Sequence, residues 1–315
     1  MKSLALLAML LVAPPAPLST APPTAASIEA NAPASAWRPV APDNLLLIDT
    51  ARGQLAIELS PDFAPAHVAA VRALVRAHAF TGGAVVRVQD NYVVQFATKE
   101  PQLTVGSKAL PGIAPPPQHR PALPAEYERL ARDNDFTPLP GRDAYADAAG
   151  FSNGWPVGRD AAKSVADLSG TYHKTWPIHC YGTVGVGRNT PPDTGDGSEL
   201  YAVIGHAPRH LDRNMAIVGR VIAGIESVAA LPRGTEALGF YKTLAERTAI
   251  TGATLATDLP MAQRPRLEVL RTDTPVFLAI IEARSNRREP FFVRPAGRVD
   301  VCNVRVPVRR VTGAG

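Results

Sequence analysis

Residues 182–228 read GTVGVGRNTPPDTGDGSELYAVIGHAPRHLDRNMAIVGRVIAGIESV. Small β-prone residues occupy 183–186, and a loop of Asn, Pro, Asp and Gly fills 188–198. A second apolar strand follows at 199–204 and a third at 215–221. Gly224 then opens a short helix that places Ile225, Val228 and Leu231 on one face. Three short strands separated by turn-rich loops, closed by a glycine-led helix, point to a mainly β fold.

The N-terminal half carries matching signals. Residues 44–50 and 54–59 are joined by Ala51-Arg52-Gly53, a hairpin with a glycine turn. In its second strand Leu55, Ile57 and Leu59 share one face, and Gln54 and Glu58 are expected to point outward. Asp62 and Pro65 supply helix-start chemistry. Val68, Val71, Leu74 and Val75 form one helical stripe that ends before Gly82-Gly83. Two strands, 84–88 and 92–96, then flank Gln89-Asp90-Asn91.

These pieces, in this order, resemble the cyclophilins, which are peptidyl-prolyl cis-trans isomerases. Phe80-Thr81-Gly82 fits the family's Tyr-x-Gly, Val85-Val86-Arg87-Val88 its Phe-His-Arg-Val, and Val93-Val94-Gln95 its Met-Ile-Gln. Ser198-Glu199-Leu200-Tyr201-Ala202 stands for Ser-Gln-Phe-Phe-Ile, Leu211-Asp212 for Leu-Asp, and Val218-Gly219-Arg220-Val221 for Phe-Gly-x-Val. The resemblance implies a closed, mainly antiparallel β-barrel capped by two helices, within a domain spanning 43–310. Two segments lie outside the family pattern and are expected as insertions, 99–179 and 258–297. The first contains Pro115-Pro116-Pro117, a helix candidate at 125–132, a turn at Asn153-Gly154, and Phe151, Trp155, Tyr172 and Trp176 to pin it to the barrel. The second holds an extra helix opened by Thr274-Pro275, with Phe277, Ile280 and Ile281 inward. Residues 299–302 resemble the strand that closes the barrel.

The resemblance also implies a chemistry. The X-Pro bond is a partial double bond with a rotation barrier of about 18–20 kcal/mol. Twisting it returns a lone pair to the prolyl nitrogen. A donor aimed at that nitrogen therefore binds the twisted state better than either planar one. Arg87 is the implied donor, always charged and rigidly forked, with Gln95 beside it on the next strand. Tyr92, Val93, Tyr201, Leu211 and Met215 are the implied proline slot, with His210 where a Trp is frequent. Several residues depart from the pattern: Tyr201 replaces Phe, Met215 His, Glu199 Gln and Arg188 a loop Asn. Glu199 could pair with Arg87, orienting or occupying it. A pocket this altered leaves a second reading, a non-catalytic cyclophilin-like module or chaperone that holds proline segments; a third is an unrelated envelope β-protein. No cofactor is implied. His173, His179 and Cys180 lack metal-ligand spacing, and 195–198 lacks the lysine of a phosphate loop.

Net charge is +5 with a pI near 9.4, and arginines concentrate after residue 284. Without aromatic interleaving this reads as a solvated basic face rather than a nucleic-acid surface. The expected partners are proline-containing polypeptides. Lys2, the apolar run 4–12 and Thr24-Ala25-Ala26 form a signal-peptide pattern over 1–26. Export to the periplasm or medium is the expectation, with 27–42 a flexible Pro/Ala-rich lead-in. No later segment reaches membrane-spanning length. Cys180 and Cys302 are compatible with a disulfide or with two separate buried thiols.

Overall fold

The computed structural model describes residues 22–99, 122–167 and 170–311; the apolar run 4–12 and Pro115–Pro117 lie outside them. In chain order the elements begin with α1 (Ala25–Ala30), β1 (Trp37–Pro39), β2 (Leu45–Thr50), β3 (Gly53–Leu59) and α2 (Pro65–Arg76). Then come β4 (Ala84–Val88), β5 (Val93–Ala97), β6 (Arg129–Arg132), β7 (Thr137–Pro138), β8 (Ala148–Ser152), β9 (Trp155–Asp167) and β10 (Gly170–Pro177). The chain continues through β11 (Thr183–Val186), β12 (Glu199–Val203), β13 (Ile217–Ala223), α3 (Ile225–Ala229), β14 (Thr248–Leu255), β15 (Leu267–Leu270), α4 (Pro275–Ser285) and β16 (Val308–Arg310).

Eight strands close into an antiparallel barrel in the order β11-β12-β5-β4-β14-β2-β3-β13, and β13 pairs back onto β11. Closure removes the free edges that an open sheet would expose. The interior is filled by alternate residues of the strands, among them Leu46, Ile48, Leu55, Ile57, Phe96, Val184, Leu200 and Val218. The β2–β3 hairpin has the expected register, Asp49 opposite Gln54 and Thr50 opposite Gly53. Helix α2 closes one end with Val68, Val71, Leu74 and Val75. At α3, Gly224 sits at φ +84°, and a Cβ there would come within 2.0 Å of the Gln54 carbonyl oxygen, so glycine is required.

Helix α2 is not capped by Asp62. Its N-cap is Ala64, and the exposed helix donors are met from a distance. The Glu126 carboxylate accepts from the Ala66 and His67 N–H groups at 2.8 and 3.0 Å. A carboxylate at a helix N-terminus satisfies orphan donors and complements the helix dipole.

Glu58 also departs from expectation, being buried rather than outward in water. The outer wall of the barrel at β3 is covered by other layers. Arg38 lies 2.7 Å from the Glu58 carboxylate and Arg220 2.7 Å. Burial works against that charge, but Arg220 and Arg38 outweigh it and hold the carboxyl below its usual pKa.

One covering layer is the long excursion after β5. It is a five-stranded sheet, β6-β10-β9-β8-β7. The helix expected at 125–132 is absent, because β6 pairs with β10 along Arg129–Arg132 and tertiary pairing overrides helix propensity. Phe151 packs edge-on against Phe277 with ring centroids 4.8 Å apart, and Trp155 against Phe63 at 6.3 Å. Trp176 is buried under Arg213, while Tyr172 stays half-buried.

The second covering layer is C-terminal. The barrel is closed by β14, not by residues 299–302, which form a short 3-10 turn at Val301–Asn303. Residues 258–297 thus follow the barrel rather than interrupt it. Strands β1, β15 and β16 make a three-stranded sheet, and α4 carries the expected Thr274 cap and buried Phe277, Ile280 and Ile281. The lead-in 27–42 is ordered: α1 packs on α4, β1 pairs with β15, and Ala36, Trp37 and Val40 are buried. Cys180 and Cys302 are disulfide-bonded, Cα atoms 5.0 Å apart, tying this layer to the start of β11. Among the described residues no helix is long and apolar enough to cross a membrane.

Candidate active site

Strands β4, β5 and β12 lie side by side, and their outward residues meet. Arg87 is opposite Gln95, and Gln95 is opposite Tyr201. Because side chains alternate, Val94, Phe96, Leu200 and Ala202 fill the barrel while Val93, Gln95 and Tyr201 face the other way. The turn after β4 adds Tyr92, the end of β11 adds Arg188, and the segment before β13 adds Leu211 and Met215. Together with Gly187 these residues enclose a pocket of about 110 Å³. Eight of the ten residues named from the sequence line it. Glu199 lies behind Gln95 instead, and His210 stacks on the Tyr92 ring at 6.2 Å.

Arg87 is held on three sides. Its Nε donates to the Leu238 carbonyl at 2.6 Å, Nη1 to Gln95 Oε1 at 3.3 Å, and Nη2 to Gln89 Oε1. The Tyr92 and Phe240 rings flank the guanidinium at 5.5 and 5.4 Å. Burial lowers its pKa, with Tyr92 and Glu199 pulling it back up, and an arginine stays cationic through this range. Of five N–H groups, three are committed, so one on Nη1 and one on Nη2 remain for a ligand.

Glu199 makes no ion pair with Arg87. Its Oε2 accepts from Gln95 Nε2, so the two are linked through the amide. Burial, reinforced by Asp196 and opposed by the Gln95 bond and Arg87, raises the Glu199 pKa to about 8.

The pocket floor is fixed from behind. Asp212 Oδ1 accepts from the His179 backbone N–H at 3.0 Å and faces Nδ1 at 2.8 Å. That acceptor assigns the proton to Nδ1, so Nε2 accepts the Tyr201 hydroxyl at 2.8 Å. Arg209 Nε donates to Asp212 at 2.6 Å and grips Asp143 through two bonds of 2.8 and 2.9 Å. Burial pushes the Tyr201 phenol well up. A Cβ on Gly185 would stand 2.3 Å from the Tyr201 oxygen, which is why glycine faces it. At the rim, Arg188 donates to the Asn214 carbonyl at 3.0 and 2.9 Å and to that of Asn189 at 2.7 Å.

Sequence reasoning missed Gln89, Leu238 and Phe240 around Arg87, and the chain Asp143–Arg209–Asp212–His179 behind Tyr201. Gln89 sits two residues from Arg87 and was within reach of a strand-turn argument. The others carry no local signal: Leu238 lies 151 residues from Arg87, Asp143 66 from Arg209, and Asp212 33 from His179.

The barrel thus carries on β4, β5 and β12 an anchored Arg and a Gln beside a small, largely apolar pocket. The family of cyclophilin type peptidyl-prolyl cis-trans isomerase/CLD matches residues 45–248, and the chain belongs to it. It is a peptidyl-prolyl isomerase of the cyclophilin type. It is 27% identical over 196 residues to a probable peptidyl-prolyl cis-trans isomerase of Brucella suis biovar 1, covering 62% of this chain and 75% of that one. A probable peptidyl-prolyl cis-trans isomerase of Brucella abortus is 26% identical with the same coverage. The crystal structure of cyclophilin AquaCyp293 from Hirschia baltica superposes with a TM-score of 0.69 at 23% identity, covering 92% of this chain and 98% of that one. That likeness extends the shared fold beyond the barrel into the added layers.

Proposed function

We propose that this isomerase rotates X-Pro bonds of folding polypeptides in the cell envelope, with Arg87 as the donor to the prolyl nitrogen. The carrying observation is the guanidinium fixed at the wall of the pocket with one free N–H on each terminal nitrogen. Tyr92, Val93, Tyr201, Leu211 and Met215 supply the apolar surface for the proline ring. With its hydroxyl committed to His179, Tyr201 offers the slot its ring. As the bond twists, the nitrogen regains its lone pair and becomes an acceptor, so the Arg87 bond strengthens in the transition state. Gln95 receives Nη1 and keeps the fork in plane.

Removing Arg87 should therefore cost rate more than binding. Arg87→Ala is expected to lose about 10²-fold or more in turnover, the scale of one preorganised donor, while affinity for a proline peptide changes far less. Arg87→Lys should recover only part, since a flexible ammonium lacks the fork. Full activity in Arg87→Ala, or none in a well-folded wild type, would retire the assignment and leave a proline-segment binding module.

Support for export comes from the charged start, the short apolar run and small residues before Ser27. The Cys180–Cys302 disulfide suits an oxidising compartment. Cleavage before Ser27 would remove Thr24, whose side chain caps α1 by accepting from the Ser27 N–H at 3.1 Å.

A further inference from the structure

Glu199 is a carboxyl group in a place that makes a carboxyl costly. It is fully buried on β12, outside the pocket lining and directly behind Gln95. Oε2 accepts from Gln95 Nε2, while Oε1 has no hydrogen-bond partner among the described residues. An orphaned buried polar atom is destabilising, so the group has no evident structural purpose. The charges acting on it are Arg87 on β4, which favours the carboxylate, and Asp196 in the loop before β12, which disfavours it. Strand β5 presents the neutral Gln95 amide. From the end of β11, the Gly187 N–H donates to the Glu199 carbonyl at 2.9 Å.

We propose that Glu199 is a positioning residue for the isomerisation: its carboxylate form locks the Gln95 amide with oxygen towards Arg87, and its protonated form releases that lock. The inference rests on the catalytic assignment of Arg87 and Gln95.

A carboxylate only accepts, so the Gln95 NH2 must face it. Gln95 Oε1 is then left for Arg87 Nη1, acceptor to donor, as observed. A carboxylic acid carries a donor as well. Its O–H can serve Gln95 Oε1 after the amide turns over. The turned amide presents NH2 to the Arg87 N–H, donor against donor, and the guanidinium loses one of its three anchors. With the Glu199 pKa at about 8, the exchange falls where an isomerase assay can be run on both sides of it.

The test is a pH profile of kcat/KM on a proline tetrapeptide in a protease-free assay, from about pH 6 to pH 9.5. Wild type is expected to gain about fivefold with rising pH, the scale of one net hydrogen bond, with its midpoint near 8. Glu199→Gln, which cannot ionise, is expected to lack the step. In wild type, the NMR resonances of the Gln95 side-chain amide are expected to titrate with the same midpoint, a readout that needs no variant to fold. The same step in Glu199→Gln, or a Gln95 amide that does not move across the range, would overturn the proposal. Arg87→Ala as active as wild type at every pH would instead show that the underlying catalytic assignment is wrong.

Discussion

Replacing Cys180 and Cys302 together by alanine should remove a large share of the stability of this fold. The bonded residues are 122 apart in sequence. For a loop of that length the chain-entropy relation gives about 16 cal/mol/K, or about 5 kcal/mol at 25 °C. That figure arises in the unfolded chain. In the folded state the C-terminal layer keeps other holds: β16 remains paired with β15, and Val301, Val304 and Val306 remain buried. The layer is thus expected to stay docked in the variant, and the loss to appear as easier global unfolding. Residual structure in the unfolded state reduces such losses, so about 3–5 kcal/mol is expected. Equilibrium urea unfolding of both proteins, without reductant, measures it. Isomerase activity without urea should be largely kept, since His179, next to Cys180, is held by two bonds to Asp212 rather than by the disulfide. A loss below about 1 kcal/mol would refute the argument and mean that the cross-link closes no loop that the unfolded chain would otherwise explore.

Tyr201→Phe keeps the ring in the pocket but leaves His179 Nε2 buried without its donor; urea unfolding should register about 1–3 kcal/mol of destabilisation, and an unchanged midpoint would mean that Nε2 is not the acceptor of this hydrogen bond. For export, N-terminal sequencing of protein recovered from the cell envelope should begin near Ser27, and recovery of chains that still contain residues 4–12 would sink the signal-peptide reading.

What the sequence determined by itself was the set of faces. Alternation put Leu55, Ile57 and Leu59 inside the barrel, and a period of 3.6 put Val68, Val71, Leu74 and Val75 on the buried side of α2. A short turn brings the two strands together, but the register that sets Arg87 across from Gln95 is fixed in the fold, where the Gln89 N–H bonds the Val93 carbonyl and a bulge falls between Val85 and Arg87. Of the slot that the resemblance implied, only Val93 and Tyr201 lie on the outward face of the barrel strands, while Tyr92, Leu211 and Met215 reach the pocket from segments between strands. Tertiary structure decided what lies against those faces. Periodicity says that Glu58 points away from the core but not that Arg38 and Arg220 wait there. The resemblance points to 299–302 as the closing strand, but 248–255 takes that place, because the pairing depends on partners about 200 residues away. The helix expected at 125–132 lost to pairing with β10. Cys180 met Cys302 only because the C-terminal layer folds back over β11. The same holds for the chemistry of the site. Glu199 reaches Arg87 through Gln95, and Tyr201 is tied to His179, because strands and loops remote in sequence converge there. Local pattern reports the direction in which a side chain points; the neighbour it finds is set by long-range packing.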